Sequence, residues 1–146
     1  MSRVDDAVEL FDQGYACSQA ILLAFGTDYG LDSDEATRLG AGFAVGMHLG
    51  DMCGAATGPI MVLGLALGGE SCATREGRAE LAVPICAFAD RFVEKTGSLD
   101  CADIIGYDLR TPEGMAATHE QHLFETVCLG VVREAALILE DMLPGG

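Results

Sequence analysis

Apolar residues recur at three- and four-residue spacing along most of the chain, as on one face of an α-helix. The first such run, with acidic residues between its members, predicts an amphipathic helix ending near Gly14. Comparable runs predict helices near residues 17–26, 36–45, 54–68, 75–95 and 117–142, and a short one around 100–105. Because no segment alternates as a half-buried strand does, we predict an all-α fold, a single-domain compact bundle of about five helices over residues 1–146.

Glycines interrupt this pattern at regular steps in the centre of the chain. They fall at Gly42, Gly46, Gly50, Gly54 and Gly58. Four residues are close to one helical turn, so wherever this segment is helical the glycines form a strip without side chains. Such a strip admits another backbone or an inorganic group at close range. We predict that Gly50, Gly54 and Gly58 contact a cofactor; the alternative is that they only let helices pack tightly.

The composition agrees with a helical core and limits the partners. Half of the residues are hydrophobic, yet tryptophan is absent and aromatic residues are few, which favours a core of aliphatic side chains. The net charge of −15 would repel a nucleic acid backbone. A positively charged partner, such as a basic redox protein, is compatible with this charge.

The amino-terminal residues include charges within the first six positions and lack the apolar run of a signal peptide, so we expect a cytoplasmic protein. From Met52 to Gly69 the chain has eighteen uncharged residues, the minimum for a membrane span. Glycine and Pro59 dilute this run, and Asp51 and Glu70 bracket it. We predict a buried core helix and no membrane association.

Six cysteines are the most informative feature of the composition. In a reducing compartment they indicate metal ligation, redox chemistry or burial, not structural disulfides. Cys17, Cys53 and Cys101 each lie at or just before a predicted helix start, where unpaired N–H groups and the helix dipole favour the thiolate. Cys128 lies inside the last predicted helix, from which it can point into a shared pocket.

The other two cysteines lack this placement. We predict that Cys86 is buried and structural, because free cysteine is among the most buried residue types. Cys72 lies in a predicted loop and has no assigned role. None of the six forms a Cys-x-x-Cys pair, so any ligands must be gathered from separate elements.

Three histidines add weaker candidates. His119 and His122 are three residues apart in the last predicted helix, and together with Cys128 they could be ligands of a zinc or iron site. The alternative, which we prefer, is that both are solvated. His48 follows Met47 in the glycine segment and is a candidate for either packing or function.

Taken together, several segments resemble one protein family. They are Gly14-Tyr-Ala-Cys17-Ser-Gln-Ala, the glycine-rich GFAVGMHLGDMCGAATGPIMVLGLALG, Phe92 to Gly97 with Cys101, and Cys128. The chain thus resembles the C_GCAxxG_C_C family of redox-active proteins, whose domain also occurs in split-Soret cytochromes. Here glycine follows Cys53, in the opposite order to the family label. The resemblance implies a redox or cluster-binding role for Cys17, Cys53, Cys101 and Cys128, and it supplies no substrate.

Three hypotheses follow. In the first, these four cysteines hold an iron–sulfur cluster, or another thiolate-bound metal such as zinc, for electron transfer. In the second, the protein is metal-free, and Cys53 attacks while Cys17 or Cys101 resolves through a reversible disulfide. In the third, it is a helical binding module with structural cysteines. A glycine-lined helix face also offers a contact for a homo-oligomer.

Overall fold

A computed structural model describes residues 2–145, and its secondary structure over these residues is helical without strands. The all-α prediction is therefore confirmed. Within the described residues there are eight α-helices: α1 (Arg3–Asp12), α2 (Cys17–Phe25), α3 (Ser33–Ala41), α4 (Gly54–Leu67), α5 (Arg75–Thr96), α6 (Cys101–Ile105), α7 (Pro112–Glu120) and α8 (Leu123–Met142). Short 3₁₀ turns cover Gly26–Tyr29 and Glu70–Ala73.

The predicted number of about five helices is too low. The apolar spacing of residues 117–142 continues across a break at His122, where the backbone is left-handed, so one pattern covers the end of α7 and all of α8. The start of α7 resembles a turn in sequence, but the Thr111 hydroxyl accepts the Gly114 N–H and Pro112 occupies the first helical position. In addition, α3 ends at Ala41 and not near Val45.

The core lies where α2 packs against α4, with α1, α5 and α8 around this pair. Its largest fully buried side chains include Phe25, Phe88 and Phe92. Two glycines of α4 allow the close approach of α2: a Cβ at Gly54 would lie 2.8 Å from the Ser18 nitrogen, and one at Gly58 would lie 3.1 Å from the Ile21 Cβ. The glycine strip is thus partly a helix-packing surface.

Between α3 and α4 the chain makes a left-handed turn. Val45, Gly46, Met47 and His48 all have positive φ angles of 52–61°. For the three residues other than glycine, this conformation costs roughly 1–2 kcal/mol each. The turn is closed by a hydrogen bond from the Asp51 N–H to the Gly46 carbonyl, 3.1 Å long. The glycine strip therefore breaks here, and Gly46 and Gly50 belong to the turn instead of a helix.

No helix within residues 2–145 has the length and hydropathy needed to cross a membrane.

Candidate functional site

Four cysteines from different elements line one cavity of about 330 Å³. They are Cys17 at the start of α2, Cys53 just before α4, Cys101 at the start of α6 and Cys128 within α8. Cys53, Cys101 and Cys128 are buried, whereas Cys17 is partly exposed. None of the six cysteines forms a disulfide. The structure thus brings together the four thiols that the sequence singles out.

The start of α2 is fixed by the residues that follow Cys17. The Ser18 hydroxyl, fully buried, donates to the Gly40 carbonyl over 2.7 Å. The Gln19 side chain accepts the Ala16 N–H and donates to the Thr37 carbonyl, both over 2.9 Å. These bonds anchor the start of α2 to α3, so the position of Cys17 is set by its neighbours in the chain.

A short backbone pairing holds Cys53 and Cys101 side by side. Met52 and Asp100 form an isolated antiparallel bridge. Within it, the Cys53 N–H donates to the Leu99 carbonyl and the Cys101 N–H donates to the Asp51 carbonyl, each over 2.7 Å. The starts of α4 and α6 are therefore tied together directly before each helix enters the bundle.

The environment of Cys53 favours its thiolate. The Cys17 thiol acts as a hydrogen-bond donor to Cys53 and lowers the pKa of Cys53, and this effect outweighs the opposing effect of burial. The N–H groups of Ala55 and Ala56, at the start of α4, lower this pKa further. They act as backbone hydrogen-bond donors to the sulfur, and they belong to the first turn of α4, where the positive end of the helix dipole also favours a thiolate.

The pKa values of Cys17 and Cys101 are shifted in the opposite direction, upward. Hydrogen bonding to Cys128 and Cys53, together with burial, raises the pKa of Cys17. Burial, and then the charges of Cys53 and Cys128, raise the pKa of Cys101 to about 12. Of these three thiols, Cys53 is thus the one whose ionised form the site favours, whereas Cys17 and Cys101 are held toward their protonated forms.

The rest of the cavity wall is aromatic and acidic. Phe11 and Phe124 contribute apolar surface, and the exposed carboxylates of Asp12 and Glu125 lie at its edge. Sequence reasoning did not assign these residues to the site. Helical spacing could have identified two of them. Phe124 and Glu125 precede Cys128 by four and three residues, so they lie on the same face of α8 as Cys128.

The predicted cofactor glycines are distributed differently. Gly54 lines the cavity beside Cys17, whereas Gly58 packs against Ile21. Gly50 lies in the turn and faces a separate surface depression together with Asp51. Of the three glycines, only Gly54 is therefore among the residues that line the cavity.

The histidines lie outside the cavity lining, and all three are exposed. His119 and His122 belong to the end of α7 and the residue before α8, so they do not share one helix face as predicted. The His119 ring lies 5.2 Å from the Phe124 ring. His48 Nε2 is 2.8 Å from the Ala41 carbonyl oxygen, so the ring closes the left-handed turn.

The remaining cysteines also lie apart from the site. Cys72, partly exposed, is in the turn before α5, where its sulfur approaches Gly68. Cys86 is exposed on α5. The prediction that Cys86 is buried is wrong, because α5 buries only Gly77, Phe88 and Phe92 and leaves its opposite side in solvent.

Within residues 2–145, no group of three or more His, Cys, Asp or Glu side chains is arranged to hold a metal ion. Such a group would place its donor atoms around a single ion. The thiolates of an iron–sulfur cluster bind different iron atoms, so they surround a volume instead of a point.

Comparison with known proteins supports the resemblance seen in the sequence. No curated protein and no solved structure matches the chain. A family model described as "Putative redox-active protein (C_GCAxxG_C_C)" matches residues 15–142, a range that contains all four cysteines of the cavity. The chain therefore belongs to the C_GCAxxG_C_C family.

Proposed function

We propose that this protein transfers electrons and that Cys17, Cys53, Cys101 and Cys128 hold an iron–sulfur cluster in the cavity. The observation that carries the proposal is that four thiols from four separate elements line one cavity of about 330 Å³. Four cysteine thiolates are the usual donor set of such a cluster. A dithiol enzyme needs only two of them.

The surroundings suit a buried redox group. Phe11 and Phe124 form an apolar part of the cavity wall, which limits the access of water to the cavity. Gly54, which has no side chain, leaves space beside Cys53 and Cys17. The N–H groups of Ala55 and Ala56 already favour negative charge on the Cys53 sulfur. Hydrogen bonds and dipoles of this kind tune the reduction potential of a cluster.

The protonated thiols are also consistent with metal binding. Burial keeps the proton on Cys101, whose pKa is raised to about 12, and Cys17 is affected in the same direction. A bound cluster supplies the positive charge that lets coordinating thiols lose their protons. We expect proton release when the cluster is inserted. Asp12 and Glu125 at the cavity edge favour a basic redox partner.

The test is the composition and colour of the protein purified without oxygen. We expect broad visible absorption together with iron and acid-labile sulfide in a stoichiometric ratio to the chain. A colourless protein that contains neither iron nor sulfide, even after reconstitution with ferrous iron and sulfide under reducing conditions, would contradict the cluster proposal.

A second function is favoured by the pairing of Cys17 with Cys53. The Cys53 thiolate, with the Cys17 thiol as its hydrogen-bond donor, is poised to attack a disulfide substrate, and Cys17 then resolves the mixed disulfide. In the complete cycle, the two thiols transfer two electrons and two protons to the substrate disulfide. Metal-free protein that loses two thiols on mild oxidation would support this function. A protein that neither binds metal nor loses thiols on mild oxidation would instead be a helical binding module.

A further inference from the structure

The size and the wall of the cavity suit a small organic molecule. Its volume of about 330 Å³ is that of a small ligand pocket, and such pockets are lined mainly by apolar and aromatic side chains. Three aromatic residues, Phe11, Tyr15 and Phe124, line this cavity. Cys53 is only 4% exposed but also lines it. A small molecule that enters the cavity can therefore reach Cys53, whereas the surface of a folded protein contacts only the edge.

The charged side chains of the cavity are all negative. Asp12 on α1 and Glu125 on α8 are exposed at its edge. No lysine, arginine or histidine is among the described residues that line the cavity. These carboxylates attract a positive substrate and repel a negative one. The aromatic residues act in the same direction, because a cation is attracted to the face of an aromatic ring.

A histidine outside the cavity lies close to one of these carboxylates. His122 Nδ1 is 4.0 Å from a carboxylate oxygen of Glu125, and both side chains are exposed. A protonated imidazole there would offset part of the negative charge. At about pH 8 histidine is neutral, so the negative charge of the edge is then fully expressed.

From this combination we propose that the dithiol reaction acts on small disulfides with positively charged groups, which bind in the cavity with their charges near Asp12 and Glu125. The inference rests on the second proposed function, in which the cavity contains no metal. The chemical class is a disulfide with ammonium groups on short chains, and cystamine is a simple probe of it.

The reaction needs only the two protein thiols and the substrate. The Cys53 thiolate attacks one substrate sulfur, so that a mixed disulfide forms, the substrate S–S bond breaks and the first product leaves as a thiolate. Cys17 then gives up its proton and attacks the Cys53 sulfur, which releases the second product. The substrate gains two electrons, and its two protons come from Cys17 and from water. Cys17 and Cys53 lose the two electrons and end as a disulfide.

The test compares three disulfides of similar size. Cystamine carries two ammonium groups, 2-hydroxyethyl disulfide is uncharged, and 3,3′-dithiodipropionate carries two carboxylates. Each is mixed with the reduced, metal-free full chain at low salt and about pH 8, and the rate of release of small thiols is followed over a single turnover. All proteins carry Cys72→Ser and Cys86→Ser, because these two cysteines lie outside the cavity and would react independently.

Asp12→Asn combined with Glu125→Gln removes the charge at the edge. We expect the rate with cystamine to fall about 10-fold and the rate with dithiodipropionate to rise by a similar factor at low salt. Because each disulfide is compared with itself, differences between the three leaving groups cancel. The matched control is Asp90→Asn combined with Glu94→Gln, which removes two exposed carboxylates of α5, outside the cavity. The control should change each rate by less than about two-fold.

Failure of this inference is distinguishable from failure of the dithiol function. If the double substitution at the edge changes all three rates by the same factor, or if the α5 control changes them as strongly, the cavity does not select substrates by charge, although the dithiol function stands. If the starting protein releases no thiol from any of the three disulfides, the dithiol function fails and this inference fails with it.

Discussion

The Cys53 N–H donates to the carbonyl oxygen of Leu99, 46 positions later in the chain, over 2.7 Å. The reciprocal bond from Cys101 to Asp51 completes a two-bond pairing between the segments before α4 and α6. Two of the four thiols are therefore positioned by backbone hydrogen bonds, which do not depend on a bound group. The cavity is preorganised by the polypeptide.

Replacing Cys53 by serine should abolish bound iron and sulfide. Serine removes the thiol whose ionised form the structure favours most, and a hydroxyl is a poor ligand for iron in a sulfide cluster. The measurement is iron and sulfide content per chain after anaerobic reconstitution. The matched control is Cys86→Ser, which changes an exposed cysteine outside the cavity and should leave the metal content unchanged. Equal metal content in the two variants would contradict the assignment of Cys53 as a ligand.

Replacing Gly54 by alanine should destabilise the fold and disturb the thiols. The new Cβ would lie 2.8 Å from the Ser18 nitrogen and 3.3 Å from the Cys17 Cβ. Forced separation of α2 and α4 should cost about 1–3 kcal/mol of unfolding free energy. Because it also moves the Cys17 donor away, the pKa of Cys53 should rise, which alkylation rates measured against pH will report.

Gly64→Ala in the same helix is the control for helix propensity. Its Cβ would meet no atom closer than 4.0 Å, the Leu81 side chain. We expect this variant to be stabilised by up to about 1 kcal/mol and its thiol reactivity to stay unchanged. If both alanine variants lose stability equally, close packing at Gly54 is not the cause.

The free energy of unfolding should fall as the pH rises above 9. Cys101 has a pKa of about 12 in the folded chain against an ordinary value of 9.0. The unfolded chain therefore loses this proton first, and the stabilising contribution, complete below pH 9, is lost as the pH rises toward 12.

Between pH 9 and about pH 10, the deprotonation of Cys101 in the unfolded chain should lower the free energy of unfolding by about 1 kcal/mol. Denaturant unfolding of the metal-free wild type and of Cys101→Ala at both pH values will measure it. The wild type should lose more stability than the variant over this interval. Parallel losses would show that Cys101 does not keep its proton through folding.

The acidic residues at the edge of the cavity should slow the reaction of the cavity thiols with anionic reagents. Ellman's reagent carries two carboxylates, and Asp12 and Glu125 should repel it from Cys17, the partly exposed thiol. In metal-free protein, Asp12→Asn combined with Glu125→Gln should accelerate this reaction several-fold at low salt. Alkylation by neutral iodoacetamide should change little. Equal acceleration of both reagents would indicate a change in access instead of charge.

Much of the helical framework follows from local signals. Thr74 before α5, Gly97 after it and the acidic cap of α3 are short-range features, and each marks an observed helix end. The thiols were identifiable for the same reason, because three of the four lie at helix starts and the fourth shares the face of α8 that lines the cavity.

The remaining features depend on contacts between distant residues. The pairing of Met52 with Asp100 is made by backbone groups, so no pattern of side chains in the sequence predicts it. The left-handed conformation of Val45 is disfavoured for a β-branched residue, so local propensity argues against it. The exposure of Cys86 depends on which side of α5 the neighbouring helices cover, and spacing along one helix does not decide that.

The left-handed turn has a consequence for how the cavity opens. Val45, which forms part of the cavity wall, has a left-handed backbone conformation that is unfavourable for a β-branched residue, so the surrounding fold must impose it. We expect hydrogen exchange to be faster there than in α2 or α4, because such segments unfold locally before the core does. If the proposed cluster is inserted into the folded chain, we expect iron and sulfide to enter past this wall, without unfolding of the helical bundle.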